Sequence, residues 1–200
     1  MITQIDPTTA LVLIDLQKGI VSLPVAHPVA EVIGKAAQLT DAFHARNMPV
    51  VVVHVNPLGA KWTLTRVESS TTPKDEESIK QAREAMEKGG FFTIVPEIKT
   101  TTEDIFITKD SWNAFYNTGL HEKLQRLNIT SIVLAGVATS IGVEGTAREA
   151  SQLGYNITFA KDAMTDMHLS AHENSMQFIF PRIGEVDNTA AIIKKLTEAV

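Results

Sequence analysis

The sequence predicts an α/β fold: a three-layer α/β/α sandwich around a parallel, doubly wound sheet with Rossmann-like topology. Three observations predict it. Short continuous apolar runs recur along the chain, helical patterns with one apolar face separate them, and several of the runs end in a reactive or polar side chain. Unbroken apolar runs mark strands covered on both faces, and a strand-helix-strand alternation needs crossover connections in a parallel sheet.

The first run is "ALVLID" at 10–15, which closes in a carboxylate. "PVVVVHV" at 49–55, "DIFITK" at 104–109 and "SIVLAGV" at 131–137 share its β-branched richness, and "NITFAKDA" at 156–163 reads as a fifth strand. Between the first two lies "VAEVIGKAAQLTDAFHARN" at 29–47, with Val29, Val32, Ile33, Ala36, Ala37 and Phe43 mostly along one helical face. Further helices are expected at about 118–127, 142–153, 170–179 and 188–199. Residues 56–92 interrupt the rhythm. They carry no strand signal and exceed an ordinary connection, so they read as a lid or subunit-contact excursion within a single domain spanning 1–200, with one solvated helix stopped at Gly89.

Composition removes several function classes. With 44% hydrophobic and 20% charged residues the 200-residue chain is neither disordered nor fibrous. A net charge of -5 without a basic stripe gives no footprint for nucleic acid. The N-terminus lacks a basic segment leading into an apolar one, and no run approaches the ~20 apolar residues of a membrane span, so the reading is a cytoplasmic protein without membrane contact. No cysteine occurs, which excludes disulfides, thiolate metal sites and thiol catalysis.

Ligands of doubly wound sheets bind beyond the carboxyl ends of the strands. Those ends here supply Asp15 with Gln17, His54 with Asn56, Lys109, and then Thr139, Ser140 and Gly142. A carboxylate and an ammonium meeting in a cleft can relay a proton, although a helix cap for Asp15 and a structural ion pair for Lys109 are equally open at this point. No Gly-rich turn follows the first strand and no phosphate loop is present, so no cofactor is expected. The six histidines are scattered. His168 and His172, four apart, lack the glutamate of a zinc motif and read as a helix surface, so no metal is expected.

These segments resemble the isochorismatase-like hydrolases, a family that includes nicotinamidases and N-carbamoyl amidases. "TTALVLIDLQKGI" resembles the strand bearing the family's catalytic Asp, here Asp15. "DIFITKDSWNAFYNTGLHEKL" resembles the segment bearing its Lys, here Lys109, and "VLAGVATSIGVEGTAREASQLGY" its nucleophile segment. The resemblance covers nearly the whole chain. It implies a parallel sheet of about six strands, a small-molecule substrate, a homo-oligomer (dimer or larger), a cis peptide between Val137 and Ala138 that helps aim the oxyanion donors near Ala138 and Gly142, and substrate contacts from Gln17, Ala138, Thr139 and Ser140. It also implies aromatic walls from Trp62, Trp112 and Phe115, with Tyr116 in the core and Thr146 bonding back to its own helix.

The position that matches the family's cysteine is Gly142. Three readings follow. Asp15 and Lys109 act by acid-base chemistry, without a protein nucleophile, on a small cyclic or carboxylate-bearing metabolite, as when an acid protonates a vinyl ether and water attacks, with Gly142 leaving room for substrate or water. Alternatively a hydroxyl of Ser140, Thr139 or Ser111 substitutes. In the third reading the chain is a non-catalytic member of the family that binds a small molecule on the donors near Ala138 and Gly142.

Overall fold

In a computed structural model of the chain, residues 1–58, 60–66 and 72–198 are described. Six strands form one sheet: β1 (Thr9–Ile14), β2 (Val50–Val55), β3 (Ile105–Lys109), β4 (Ser131–Val137), β5 (Asn156–Thr165) and β6 (Glu185–Asp187). Their order is β3-β2-β1-β4-β5-β6 and every pairing is parallel. The winding direction reverses between β1 and β4, which is where a doubly wound sheet opens a crevice at its carboxyl edge.

β1 shows why these strands read as unbroken apolar runs. All six of its residues are buried. Leu11 and Leu13 enter one core with Ile33, Leu39 and Phe43 of α2 (Val29–His44, after a short α1 at Lys18–Val21) and with Ile192 and Leu196 of the C-terminal helix Thr189–Glu198. Ala10, Val12 and Ile14 enter the other, with Leu120 and Leu124 of the helix Leu120–Arg126, Ala147 and Ala150 of the helix Glu144–Gln152, and Phe180. Each strand residue loses its surface to one of two helical layers, so no polar face is needed.

The expected helices are present with altered ends. The one expected at 142–153 begins as a wide, π-type turn over Thr139–Val143 and becomes α-helical at Glu144. The one expected at 170–179 is an α-helix at Leu169–Asn174, a second π-type turn at Ser175–Ile179 and a last α-turn at Phe180–Ile183, where Pro181 enters. The sixth strand that the resemblance implies is β6, which no local pattern locates. Its three half-buried residues are too short and too polar to give a strand signal.

Within the 56–92 excursion, residues 59 and 67–71 lie outside the described residues. The remainder forms a short 3₁₀ turn at Lys61–Leu64 and α3 (Glu76–Lys88), numbered third after α1 and α2. Asp75 caps α3 by accepting from the Ser78 amide at 2.9 Å, and none of its residues is buried. After α3 the chain returns to the sheet's edge. Lys18 and Gly19 donate to Thr93 and Phe91 carbonyls at 2.8 and 3.0 Å, and Val95 donates to Leu16 at 3.1 Å.

Gly136 holds the crevice narrow. Its φ is +130°, and a Cβ there would overlap the Ile14 carbonyl of the adjacent strand. Gly136→Ala is expected to cost several kcal/mol in urea unfolding, since the strain of a forbidden backbone adds to an overlap that only parting β1 from β4 relieves. Gly154→Ala, at φ +85° with no atom within 4 Å of the new methyl, isolates the backbone part and should cost about 1–2 kcal/mol.

Candidate active site

Asp15 follows β1 with φ 51°, a left-handed conformation that few side chains other than Asp and Asn tolerate. Its Oδ2 accepts from Lys109 Nζ at 2.7 Å, and the same ammonium donates to the Ser111 carbonyl at 3.1 Å. Lys109 ends β3, which is separated from β1 by β2. The two side chains together therefore bridge two strand spacings, about 10 Å, over the end of β2. Only a long, flexible cation makes that reach.

The pair is 5% and 2% exposed at Asp15 and Lys109. Burial pushes the Asp15 carboxyl up from 3.8 to about 6, and the attraction and hydrogen bond of Lys109 oppose the rise without cancelling it. Asp15 Oδ1 is the one fully buried side-chain oxygen or nitrogen without a hydrogen-bond partner among the described residues. A carboxyl at this pKa, with one oxygen held by an ammonium and the other unpartnered, is chemically a proton carrier whose free oxygen bears the proton.

Gly142 lies beside the pair. A Cβ built there would sit 3.2 Å from Asp15 Oδ2 and 3.7 Å from Lys109 Nζ. It would also sit 2.8 Å from Ile14 Cγ2, closer than atoms pack, so the direction a side chain would take is filled by a buried methyl. The expectation that Gly142 leaves room for substrate or water is corrected by that contact.

Three amides of the turn around Gly142 are engaged. The peptide between Val137 and Ala138 is cis. Ile141 and Val143 amides donate to the Ala138 carbonyl at 3.2 and 3.1 Å, and the Ser140 amide donates to Asp166 Oδ2 at 2.7 Å. A carboxylate thus occupies the amide of Ser140, a residue expected to contact substrate. The hydroxyls are engaged elsewhere too: Thr139 Oγ1 pairs with His172 Nδ1 at 2.8 Å, and Ser111 Oγ donates to the Asn113 carbonyl at 3.0 Å. Neither is bonded to Asp15 or Lys109. Thr146 bonds back to the Gly142 carbonyl at 2.7 Å and accepts from the Ala114 amide at 3.0 Å, tying the Lys109 segment to the turn.

The remaining expected residues divide. Gln17 is fully buried and is a crosspiece rather than a ligand contact: it accepts from the Val55 amide at 2.7 Å and donates to the carbonyls of Val55 and Phe91 at 3.1 and 3.3 Å. Trp62 and Trp112 meet edge to face at 6.4 Å, and Trp62 Nε1 donates to the Asp110 carbonyl at 2.8 Å. They line a cleft of about 380 Å³ with Lys61, Ser111, Asn113 and Tyr116. Phe115 is not there. It is buried in the core and stacks on Tyr155, while Tyr116 is half exposed at the cleft, the reverse of the expected assignment. His54 pairs with Thr108 Oγ1 at 2.9 Å, and burial followed by repulsion from Lys109 lowers its pKa.

Two participants were not anticipated. Asp166 is 1% exposed and braces Ser140; the fifth strand was expected to stop at 163 and runs to Thr165, which makes Asp166 its end residue. His172, expected on a helix surface, is buried in the last turn of its helix against Thr139, while His168 at the N-cap stays exposed. Among the described residues no group of three or more acidic or imidazole side chains could hold a metal ion, and no helix is long and apolar enough to cross a membrane.

A model of the isochorismatase domain matches residues 9–191. The uncharacterized isochorismatase family protein YecD of Escherichia coli O157:H7 is 39% identical over 200 residues, covering 94% of this chain and 96% of that protein. Ureidoacrylate amidohydrolase RutB of Acinetobacter baylyi is 27% identical over 205 residues, covering 92% of this chain and 82% of that protein. The structure of an isochorismatase family protein from Burkholderia thailandensis superposes with a TM-score of 0.83 at 35% identity, over 98% of this chain and all (100%) of that one. In sequence along nearly its whole length, and in the six-stranded sandwich that carries Asp15 and Lys109, the chain belongs to the isochorismatase family.

Proposed function

We propose that the chain is an isochorismatase-family hydrolase that acts on a small cyclic or carboxylate-bearing metabolite by acid-base chemistry, with Gly142 standing where the family's cysteine nucleophile stands. The observation that carries this reading is Asp15 Oδ1, buried and unpartnered, on a carboxyl whose pKa lies near 6. Protonated Asp15 donates from Oδ1 to the substrate, for example to the terminal carbon of a vinyl ether. Water adds to the cationic carbon, its proton returns to the carboxylate, and the hemiketal collapses to a carbonyl and an alcohol. Lys109 holds Oδ2 throughout and keeps the free oxygen turned toward the reacting atom. Trp62 and Trp112, beside the segment that follows Lys109, supply a wall for a ring.

The absence of cysteine from all 200 residues supports water as the nucleophile, and RutB, named as an amidohydrolase, supports hydrolysis as the reaction class. A second reading, a non-catalytic small-molecule binder, is favoured by the Ile14 methyl that fills the side-chain direction of Gly142.

A screen of vinyl ethers, including isochorismate, and cyclic amides against wild type and Asp15→Asn separates the two. Product formation that falls about 10²–10⁴-fold in the variant supports the acid role. Thermal shifts without product for any compound support the binder, and turnover unchanged in Asp15→Asn overturns the mechanism. Since the protonated carboxyl is the active form, the rate should be high below about pH 6 and fall as pH rises through it. Lys109→Met removes the interaction that lowers the Asp15 pKa, so the falling limb should move to higher pH.

Stability follows from the same burial. Removing either partner alone leaves a buried uncompensated charge and should cost about 3–5 kcal/mol, whereas the double variant Asp15→Leu/Lys109→Met should cost much less than the sum. Urea titrations of the three variants measure the difference. Gly142→Ala should cost about 1–3 kcal/mol, because the Ile14 methyl must give way.

A further inference from the structure

Behind the Thr139–Val143 turn lies a second cavity, of about 480 Å³, between α2, β5, the helix Leu169–Asn174 and β6. Val32, Met164, Met176 and Val186 supply apolar walls, and His27 and His172 line it together. The two rings meet edge-on with centroids 4.6 Å apart. His172 is only 8% exposed.

Each imidazole has its Nδ1 against a threonine hydroxyl: His172 against Thr139 at 2.8 Å and His27 against Thr165 at 2.9 Å. Both threonines are fully buried. Among the described residues Thr139 Oγ1 has no other partner, so its proton is satisfied only if it donates to His172 Nδ1. Thr165 Oγ1 already accepts from the His27 amide at 3.3 Å, and its own proton likewise has only His27 Nδ1 to go to. An imidazole that accepts at Nδ1 carries its hydrogen on Nε2. Both rings therefore hold an Nε2–H donor. Neither donor has a protein partner among the described residues, and neither is sealed away, since the one fully buried unpartnered atom is Asp15 Oδ1. Both rings line the cavity.

We propose that this cavity is a binding site for a small monocarboxylate with an aliphatic or aromatic body, its oxygens accepting from His27 and His172 Nε2–H and its body lying on Met164, Met176, Val32 and Val186. Two donors at the end of an apolar cavity of this size match the general make-up of small-molecule sites. Lys161 stands at its rim. Asp162 also lines it, with Oδ1 accepting from the Thr189 amide and hydroxyl at 2.7 and 2.8 Å and Oδ2 4.0 Å from Lys35 Nζ. Glu31 is exposed on the first turn of α2. Burial, and then the neighbouring His27, lower the His172 pKa, which keeps the ring neutral and its tautomer set by Thr139. The site is separate from Asp15 and Lys109, and the proposal does not rest on hydrolase activity.

NMR of the full chain, labelled at histidine nitrogens and methionine methyls, tests it with hexanoate as the probe and hexylamine as the control. Long-range nitrogen-proton correlations at pH 7.5 should show the Nε2–H form for both rings. Hexanoate should shift both rings and the Met164 and Met176 methyls saturably, and hexylamine should not. His27→Phe, at a half-buried position outside the catalytic machinery, should weaken hexanoate about tenfold or more with the fold intact, as should His172→Phe. An Nδ1–H form in either ring, an equal response to hexylamine, or unchanged hexanoate affinity in folded His27→Phe would overturn the proposal.

Discussion

A carboxylate and an ammonium share a dry crevice at the point where the sheet reverses its winding, and much of the surrounding structure is what keeps them there. Two charges taken from water lose several kcal/mol of hydration each, and their attraction recovers it only with close geometry. Here the geometry is a 2.7 Å contact, held by a left-handed turn at Asp15 and by a lysine that spans β2. Gln17 ties the end of β1 to β2 and to the returning excursion, so the floor beneath the pair cannot shift without breaking buried hydrogen bonds.

The compensation is incomplete, and the chemistry lies in the remainder. Lys109 satisfies one carboxylate oxygen and leaves the other buried without a protein partner. Such an oxygen is better protonated than charged at mildly acidic pH, which explains the direction of the Asp15 shift.

The neighbouring turn is braced from behind. Asp166 and His172, both from the stretch after β5, hold the Ser140 amide and the Thr139 hydroxyl, and Thr146 holds the Gly142 carbonyl from the helix. The Ile14 methyl packs where a Gly142 side chain would begin.

Sandwich architecture, the parallel sheet, five of its strands and the positions of Asp15 and Lys109 were legible in the sequence, because strands buried on both faces and polar residues at their ends leave local patterns. β6 was not, since three half-buried residues carry no period. Nor could local pattern tell Phe115 from Tyr116, or His172 from His168: adjacent or one-turn-apart residues of similar type part company only when the tertiary fold decides which side faces a core. Composition alone determined that these 200 residues carry no cysteine. Only the folded chain decided that the side-chain direction of Gly142 is filled rather than vacant, that Gln17 is a brace, and that a buried carboxylate occupies the Ser140 amide, because each depends on atoms brought together from strands far apart in sequence.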